Sequence, residues 1–192
     1  MAADRPTSPA RRADAERNRE KILAAARSAF ADPEADVSMA EVSRRAGVGM
    51  ATLYRNFPGR RELLEALYTD EVDAICKAAE TVNGEPPGAA LLTWLDNVFA
   101  FFTSKRQVGA ELLKHSDSGN PFFSNNRNRV LAAGQPLLTA AQSTHEVRGD
   151  LTLEQVLDMI SAIAKIDGDP GYVQPILEST LDGLRPPTSS QP

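Results

Sequence analysis

The sequence predicts an all-α protein in which a small N-terminal domain precedes a larger helical one. Apolar residues recur with a 3.6-residue period through most of the chain. No segment shows the alternation of apolar and polar residues that is typical of strands. Residues 38–57 have the layout of two helices around a glycine turn. The length of 192 residues, 42% of them hydrophobic, suits one small domain joined to a larger one.

The first helix is predicted from about Asp14 to Phe30. Residues 1–13, which precede it, are rich in Pro, Ala and Arg, and we expect them to form a disordered basic arm. Four arginines in this arm and just after it, Arg11, Arg12, Arg17 and Arg19, either enter a DNA minor groove or form an ordinary solvated charge run. A polar loop from Ala31 to Val37 then separates the first helix from the second.

The most informative stretch is residues 38–57, which predicts a helix, a short turn and a second helix. Ser38 begins an S-x-x-E capping box, which starts the first of these helices. Gly47 ends that helix, because glycine accepts the positive φ that a sharp turn needs. In the next helix Leu53 and Phe57 lie four residues apart and form a buried face. Two helices joined in this way form the helix-turn-helix of DNA-binding proteins.

Six further helices follow the turn at Pro58 and Gly59. Helix four is long, because its apolar period continues from about Arg60 until the NGEPPG stretch, Asn83–Gly88. The periodicity then predicts five more helices, around residues 91–102, 112–115, 122–141, 153–164 and 173–184. Thr152 begins a second capping box, T-x-x-Q, ahead of the penultimate helix.

The N-terminal third resembles the DNA-binding domain of TetR-family transcriptional repressors. The residues that carry the resemblance are the AGV turn (Ala46, Gly47, Val48), the TLY core (Thr52, Leu53, Tyr54), Phe57, Arg60, Leu63 and Leu64, together with ILAAARSAF in the first helix. The resemblance implies a helix-turn-helix domain over residues 14–60, a helical ligand-binding and dimerisation domain over 61–185, and a tail over 186–192. It implies neither a cofactor nor an enzymatic activity.

Charge is distributed unevenly along the chain. Up to Arg61 there are twelve Lys and Arg residues against eight Asp and Glu, whereas the remainder has nine against eighteen. A basic N-terminal third on an acidic body suits a protein that presents only one end to phosphate.

The resemblance also implies which residues contact a double-stranded DNA operator. They lie at the start of the second helix, along the third, and at the start of the fourth: Ser38, Met39, Arg44, Gly49, Met50, Ala51, Thr52, Tyr54, Arg55, Asn56 and Arg60. Arg55 is the only obvious side chain in the third helix for a two-hydrogen-bond contact to a base. Tyr54 is expected to bind phosphate, with packing against the first helix as the alternative. A two-fold homodimer would place two recognition helices about one DNA turn apart, ~34–36 Å or a multiple of it, on a palindromic site.

The last two helices have broad apolar faces with little sequence after them to cover them. We therefore expect an exposed stripe that forms a dimer interface, as the family's corresponding helices do. Its members are Val156, Ile160, Ile163, Val173, Ile176, Leu177 and Leu184.

A pocket for an unknown small-molecule effector is expected where the body concentrates its aromatic residues. The candidate lining is Trp94, Asn97, Phe101, Phe102, His115 and Phe123. The same composition also fits an ordinary hydrophobic core, and the sequence leaves both interpretations open.

Other classes of protein find little support in the sequence. The lone Cys76 excludes an internal disulfide and a cysteine cluster for zinc. No apolar run reaches the eighteen or so residues of a membrane helix, and the polar first twenty residues contain no signal-peptide core, so we expect a cytoplasmic protein without a membrane partner. No nucleophile motif, paired-carboxylate signature or phosphate-binding glycine loop indicates catalysis.

Three hypotheses therefore remain. The first is a repressor that a small molecule releases from DNA, and the second is a DNA-binding regulator without small-molecule control. The third is an all-helical enzyme or scaffold whose N-terminal pattern is accidental.

Overall fold

The computed structural model describes residues 9–30, 37–81, 84–114 and 121–186, and every regular element in these ranges is a helix. The helices are α1 (Pro9–Ala29), α2 (Met39–Ala46), α3 (Met50–Asn56), α4 (Arg60–Thr81), α5 (Pro87–Ser104), α6 (Arg106–Lys114), α7 (Phe122–Ser143), α8 (Leu153–Ile163) and α9 (Pro170–Asp182). The expected all-α fold class is confirmed. α1 begins at Pro9, so residues 9–13 are helical and do not belong to a disordered arm. The rest of the expected arm, most of the loop before residue 38 and nearly all of the tail lie outside the described residues.

The chain forms two compact units. The first comprises Met1–Tyr68 with Gln107–His115, and the second comprises Thr69–Arg106 with Ser116–Pro192. In the first unit α1 packs against α2 and α3. The apolar face of α1 is buried there, with Ile22 and Ala26 fully inaccessible to solvent.

In the second unit α5 lies at the centre, in contact with α7 and α8, while α9 packs against α8. Trp94 of α5 is fully buried, and its indole Nε1 donates a hydrogen bond to the carbonyl of Ile75 at 3.1 Å. α7 continues as a helix through both Gly134 and Pro136. The capping box at Thr152 is confirmed, because its hydroxyl accepts from the backbone N–H of Gln155 and the Gln155 side chain accepts in return.

The expected exposed stripe on the last two helices is wrong for the single chain. Six of its seven members are at most 8% exposed: Val156, Ile160, Ile163, Val173, Leu177 and Leu184. Ile176 is half-buried. The reason is that α8 packs against α5, α7 and α9 of its own chain. The apolar faces of both helices therefore belong to the core of the second unit, and of the seven residues Ile176 alone keeps appreciable surface that a partner subunit could contact.

None of the helices in the described ranges is long and apolar enough to cross a membrane. Across the same residues, no group of three or more His, Cys, Asp or Glu side chains is placed to hold a metal ion.

Candidate nucleic-acid interface

The start of α2 is an open helix N-terminus. Ser38 is its N-cap, and the Ser38 hydroxyl accepts from the backbone N–H of Glu41 at 3.1 Å. The expected capping box lacks its second bond, from the Ser38 N–H to the Glu41 carboxylate. That carboxylate accepts from Arg44 and Arg45 instead. Backbone N–H groups that remain free at such a terminus favour an anion, which fits the expected phosphate contact at Ser38 and Met39.

The turn between α2 and α3 has the geometry that the sequence predicts. Gly47 adopts the left-handed conformation, with φ 63° and ψ 31°, and its N–H donates to the carbonyl of Arg44. A contact that the sequence did not reveal also closes this turn. The Ser43 hydroxyl donates to the carbonyl of Val48 at 2.6 Å, and the Val48 N–H donates to the carbonyl of Ser43 at 3.2 Å. Ser43 is 5% exposed, which is low for a hydroxyl side chain. The one sequence feature that could have suggested this burial is the position of Ser43 one turn before Gly47.

α3 has one buried side and one exposed side. Leu53 and Phe57 are at most 1% exposed and fix the helix to the core of the first unit. On the other side Met50 and Tyr54 are 38% and 46% exposed, high values for large apolar side chains. All eleven residues expected to contact DNA are exposed or half-buried, so the structure places none of them in the core.

Two polar side chains of α3 already have partners within the helix. The Arg55 guanidinium donates to the Thr52 hydroxyl at 3.1 Å. The Asn56 amide donates to the carbonyl of Thr52 at 2.8 Å, so its oxygen stays available as an acceptor. The Tyr54 hydroxyl forms no recorded bond with the described residues and lies on the exposed side.

Arg44, expected to lie near DNA, is engaged in an exposed ion-pair cluster on α2. Its Nη2 lies 2.7 Å from a carboxylate oxygen of Glu41, and Nε of Arg45 lies 2.6 Å from the same oxygen. Hydrogen bonds from these two guanidinium groups lower the pKa of Glu41 from 4.5 to about 2. The carboxylate therefore stays ionised at neutral pH and offsets part of the positive charge of α2.

Arg60 is bound on three sides within the first unit. Its Nη1 donates to the carbonyl of Val37, its guanidinium lies 5.2 Å from the centre of the Phe30 ring, and its Nε lies 3.5 Å from a carboxylate oxygen of Glu111 on α6. The side chain is 35% exposed. Arg60 therefore holds the start of α4 to the residue before the α2 N-cap.

Two arginines near the predicted arm also contact their own domain. The guanidinium of Arg19 lies 4.8 Å from the centre of the Phe57 ring, and Arg17 forms an ion pair with Asp14 one turn earlier in α1. Both residues lie in the middle of α1 and not in an extended segment.

The side chains expected to line an effector pocket lie in different environments. Trp94 and Phe101 are buried in the core, Phe102 and Phe123 are half-buried, and Asn97 is exposed. His115 lies outside the described residues.

A groove lies elsewhere in the second unit, between α5 and α9, with a cavity volume of about 520 Å³. Its lining consists of Asp96, Phe99, Ala100, Thr103, Ser104, Gln174 and Leu177. Only Leu177 was singled out from the sequence, and for a different role. The α5 members fall at positions 96, 99–100 and 103–104, so that each group follows the previous one by three or four residues, which is the one signal in the sequence that they share a helix face.

Both parts of the chain match family models. Residues 22–67 match the model described as bacterial regulatory proteins of the tetR family. Residues 86–186 match the model described as transcriptional regulator SbtR-like, C-terminal domain. The second match alone covers more than half of the chain.

Similar proteins have been solved or curated. A TetR transcriptional regulator from Streptomyces coelicolor is 31% identical, with a TM-score of 0.72 over 88% of this chain and 99% of that one. A TetR transcription regulatory protein from Mycobacterium vanbaalenii is 30% identical, with a TM-score of 0.73 over 91% of this chain and 99% of that one. A curated relative is an uncharacterised helix-turn-helix-type transcriptional regulator of Mycobacterium bovis, 38% identical over 58 residues. That match spans 30% of this chain and 31% of the relative.

The helix-turn-helix in the first unit, the helical second unit and both family matches agree with one another. The proteins of this family are regulators and not enzymes. The chain belongs to the TetR family of DNA-binding transcriptional regulators.

Proposed function

We propose that this protein is a cytoplasmic repressor that binds a palindromic operator as a homodimer and leaves it when a small molecule occupies the second unit. The observation that carries the DNA-binding part is the two-sided character of α3. Leu53 and Phe57 hold that helix to the core, while Met50 and Tyr54 remain exposed although both are large and apolar. Exposed side chains of this kind on a recognition helix can contact base edges and phosphates when the helix lies in the major groove.

The proposed contacts fall into two classes. Ser38 and Met39 at the α2 N-terminus, together with Tyr54 and Asn56, would bind phosphate and set the orientation of the domain. The remaining α3 residues would face the bases. Arg55 would donate two hydrogen bonds to a guanine, while Met50, Ala51 and the Thr52 methyl group would contact thymine methyls. Gly49 would allow the backbone to approach closely, and Arg44 and Arg60 would add positive charge near the backbone.

The proposed dimer uses the outer sides of α8 and α9, since their inner sides form the core of the second unit. Tyr172 is 61% exposed at the start of α9, and Ile176, one turn later, is half-buried. These two residues give α9 an apolar outer edge suited to a two-fold contact.

The effector part of the proposal is supported by the α5–α9 groove. Its volume of about 520 Å³ lies within the roughly 300–1,000 Å³ that is usual for small-molecule sites. A ligand releases DNA only if it prefers the conformation that does not bind the operator, and a coupling of about 1–3 kcal/mol would change DNA affinity about 5- to 150-fold.

The test is retardation of the DNA upstream of the protein's own gene, measured with full-length protein and with unrelated DNA of equal length as the control. We expect preferential binding of the upstream fragment and its release by a small molecule. Equal binding of both fragments would contradict the operator proposal.

Specific binding that no small molecule relieves would instead favour a regulator without small-molecule control. One observation is in keeping with that second candidate, because Trp94 and Phe101 fill the region where the sequence predicted a pocket.

A further inference from the structure

The α5–α9 groove has an apolar and a polar part. Its apolar part consists of Phe99, Ala100 and Leu177. Its polar part consists of one carboxylate, two hydroxyl groups and one amide, from Asp96, Thr103, Ser104 and Gln174.

Three of the four donor hydrogens of this polar part are used inside the protein, and one N–H of the Gln174 amide remains. The Thr103 hydroxyl donates to the carbonyl of Phe99 at 3.0 Å, and the Ser104 hydroxyl donates to the carbonyl of Phe101 at 3.1 Å. The Gln174 amide nitrogen donates to the Glu178 carboxylate at 3.1 Å. What these groups can still offer a ligand is mainly oxygen lone pairs, so the groove accepts hydrogen bonds and has few to give.

The charged groups at the groove are negative, so they favour a positively charged ligand. Asp96 forms no recorded hydrogen bond or ion pair within the described part of the chain. Glu178, one residue after Leu177, has the neutral Gln174 amide as its recorded partner. Partial burial raises the pKa of Asp96, and repulsion from the Glu178 carboxylate raises it further. A positive group placed in the groove would offset both effects, because an opposite charge nearby favours the ionised carboxylate.

The aromatic ring in the groove favours the same class of ligand. Phe99 is half-buried and lines the cavity close to Asp96, three residues earlier on α5. An aromatic ring attracts a cation and also covers apolar surface. A ligand with a positive end and an apolar body would therefore satisfy the carboxylate, the lone pairs and the ring together.

We infer that the α5–α9 groove binds an organic cation with N–H donors, its ammonium group at Asp96 and its apolar body on Phe99 and Leu177. This inference rests on the proposed function, because it identifies the chemical class of the effector.

The test is calorimetric titration of the full-length protein with 2-phenylethylammonium and with butylammonium. Two matched probes of similar size serve as controls: neutral 2-phenylethanol and anionic 3-phenylpropionate. We expect the ammonium compounds to bind and the matched controls to bind at least about tenfold more weakly, a difference of one logarithmic unit in the dissociation constant. Equal dissociation constants for 2-phenylethylammonium, 2-phenylethanol and 3-phenylpropionate would overturn the inference. Failure of both ammonium compounds to bind would overturn it as well.

Three variants locate the binding. Asp96→Asn should weaken ammonium binding about tenfold or more. Ala100→Trp should abolish it by filling the groove. Asp158→Asn removes the same charge from α8, outside the groove lining, and should bind as the wild type does. Unchanged binding by Asp96→Asn would overturn the inference even if Ala100→Trp failed to fold.

The outcomes separate this inference from the proposed function. Ammonium binding that needs Asp96 but leaves the operator complex intact would support the groove as a cation-binding site. It would contradict a role of that site in releasing the operator. Release of the operator by another compound, equally from wild type and from Asp96→Asn, would support a ligand-responsive repressor and overturn the groove as its effector site. Loss of the dimer in Ala100→Trp, with no ammonium binding by the wild type, would assign the groove to a second copy of the chain.

Discussion

The indole ring of Trp94 on α5 lies directly against the α-carbon of Gly134 on α7. A Cβ atom added at Gly134 would lie 2.9 Å from Cζ2 of the ring and still closer to two further ring atoms. The ring has no freedom to retreat, because its Nε1 donates to the carbonyl of Ile75 at 3.1 Å and the residue is fully buried. One tryptophan thus fixes how closely α5 and α7 approach.

Gly134→Ala is expected to destabilise the protein, although alanine is the better helix former. Overpacking of this kind costs about 1–3 kcal/mol, more than the roughly 1 kcal/mol gained from helix propensity. The measurement is the free energy of unfolding in denaturant. Gly109→Ala on α6 is the matched control, because an added Cβ there meets nothing within 4 Å, and it should be neutral or stabilising. Equal behaviour of the two variants would show that the second unit adjusts easily around Trp94.

Ser43→Ala is expected to loosen the helix-turn-helix. The variant removes the hydroxyl that donates to the carbonyl of Val48. A fully buried acceptor left without a partner would cost about 1–3 kcal/mol, and because this bond is only partly buried we expect a loss near the lower end of that range. Both stability and operator affinity should fall, since this bond helps fix α3 relative to α2. Ser143→Ala removes an exposed hydroxyl that also donates to a backbone carbonyl, and it should change stability by no more than about 0.5 kcal/mol. A Ser43→Ala protein as stable as that control would show that water replaces the bond.

The local features of the helix-turn-helix could be predicted because their signals are local. The N-cap at Ser38, the left-handed Gly47 and the buried pair Leu53 and Phe57 each depend on residues within one or two turns. The bond from Ser43 to Val48 was missed although it is equally short-range, since a serine inside a helix carries no distinctive signal.

The arrangement of the second unit could not be predicted from periodicity. An apolar helical face is compatible with burial in its own chain or against a partner, and the choice for Ile160 depends on α5 and α7 lying over α8. The same ambiguity applies to Trp94, whose contact with Gly134 joins residues forty positions apart. The groove likewise combines Asp96 with Gln174, and no sequence pattern relates two residues so distant along the chain.

Arg60→Ala is expected to lower stability as well as DNA affinity. The residue donates to the carbonyl of Val37, covers the Phe30 ring and pairs with Glu111, so its loss removes three contacts of the first unit. Arg60→Lys separates the two roles, because lysine keeps the charge but not the planar group that makes all three contacts. If Arg60 acts mainly by holding the start of α4 in place, the lysine variant should be destabilised nearly as much as the alanine variant. Full stability and full operator affinity in the lysine variant would instead make the charge alone the important property.

Tyr54→Phe is expected to weaken operator binding without changing its salt dependence. The variant removes one exposed hydroxyl and no charge, so the loss should be that of a single hydrogen bond, about 0.5–1.5 kcal/mol. Tyr172→Phe makes the same chemical change at a tyrosine that is 61% exposed in the second unit. Because phenylalanine keeps the aromatic ring that contributes to the proposed dimer edge, this variant should leave operator affinity unchanged. An equal effect of both substitutions, or none from Tyr54→Phe, would remove the Tyr54 hydroxyl from the DNA contacts.

Glu41→Gln is expected to strengthen DNA binding. Glu41 binds the guanidinium groups of Arg44 and Arg45, and those bonds keep its pKa at about 2, so it remains an anion beside the expected interface at any pH used for binding. A glutamine at this position would release both arginines towards phosphate. The backbone N–H that Ser38 caps is retained, and the ion pairs lie at the surface, with the Arg44 side chain 74% and the Glu41 side chain 28% exposed, so stability near neutral pH should change little. Because the pKa is lowered in the folded state, whatever the pair contributes would be lost only as the pH falls from 4.5 towards 2.

The measurement for Glu41→Gln is operator affinity across a series of salt concentrations. Each phosphate newly neutralised should steepen the slope of log K against log salt by about 0.9, so two released arginines can add up to roughly 1.8. Asp182→Asn is the control, since it breaks a comparable exposed pair with Arg185 in the second unit, and its slope should equal that of the wild type. A steeper slope with unchanged preference between operator and unrelated DNA would mean that the arginines reach only the backbone. An unchanged slope would mean that Arg44 and Arg45 lie away from the DNA, and the interface would then be confined to the α2 N-terminus, α3 and the start of α4.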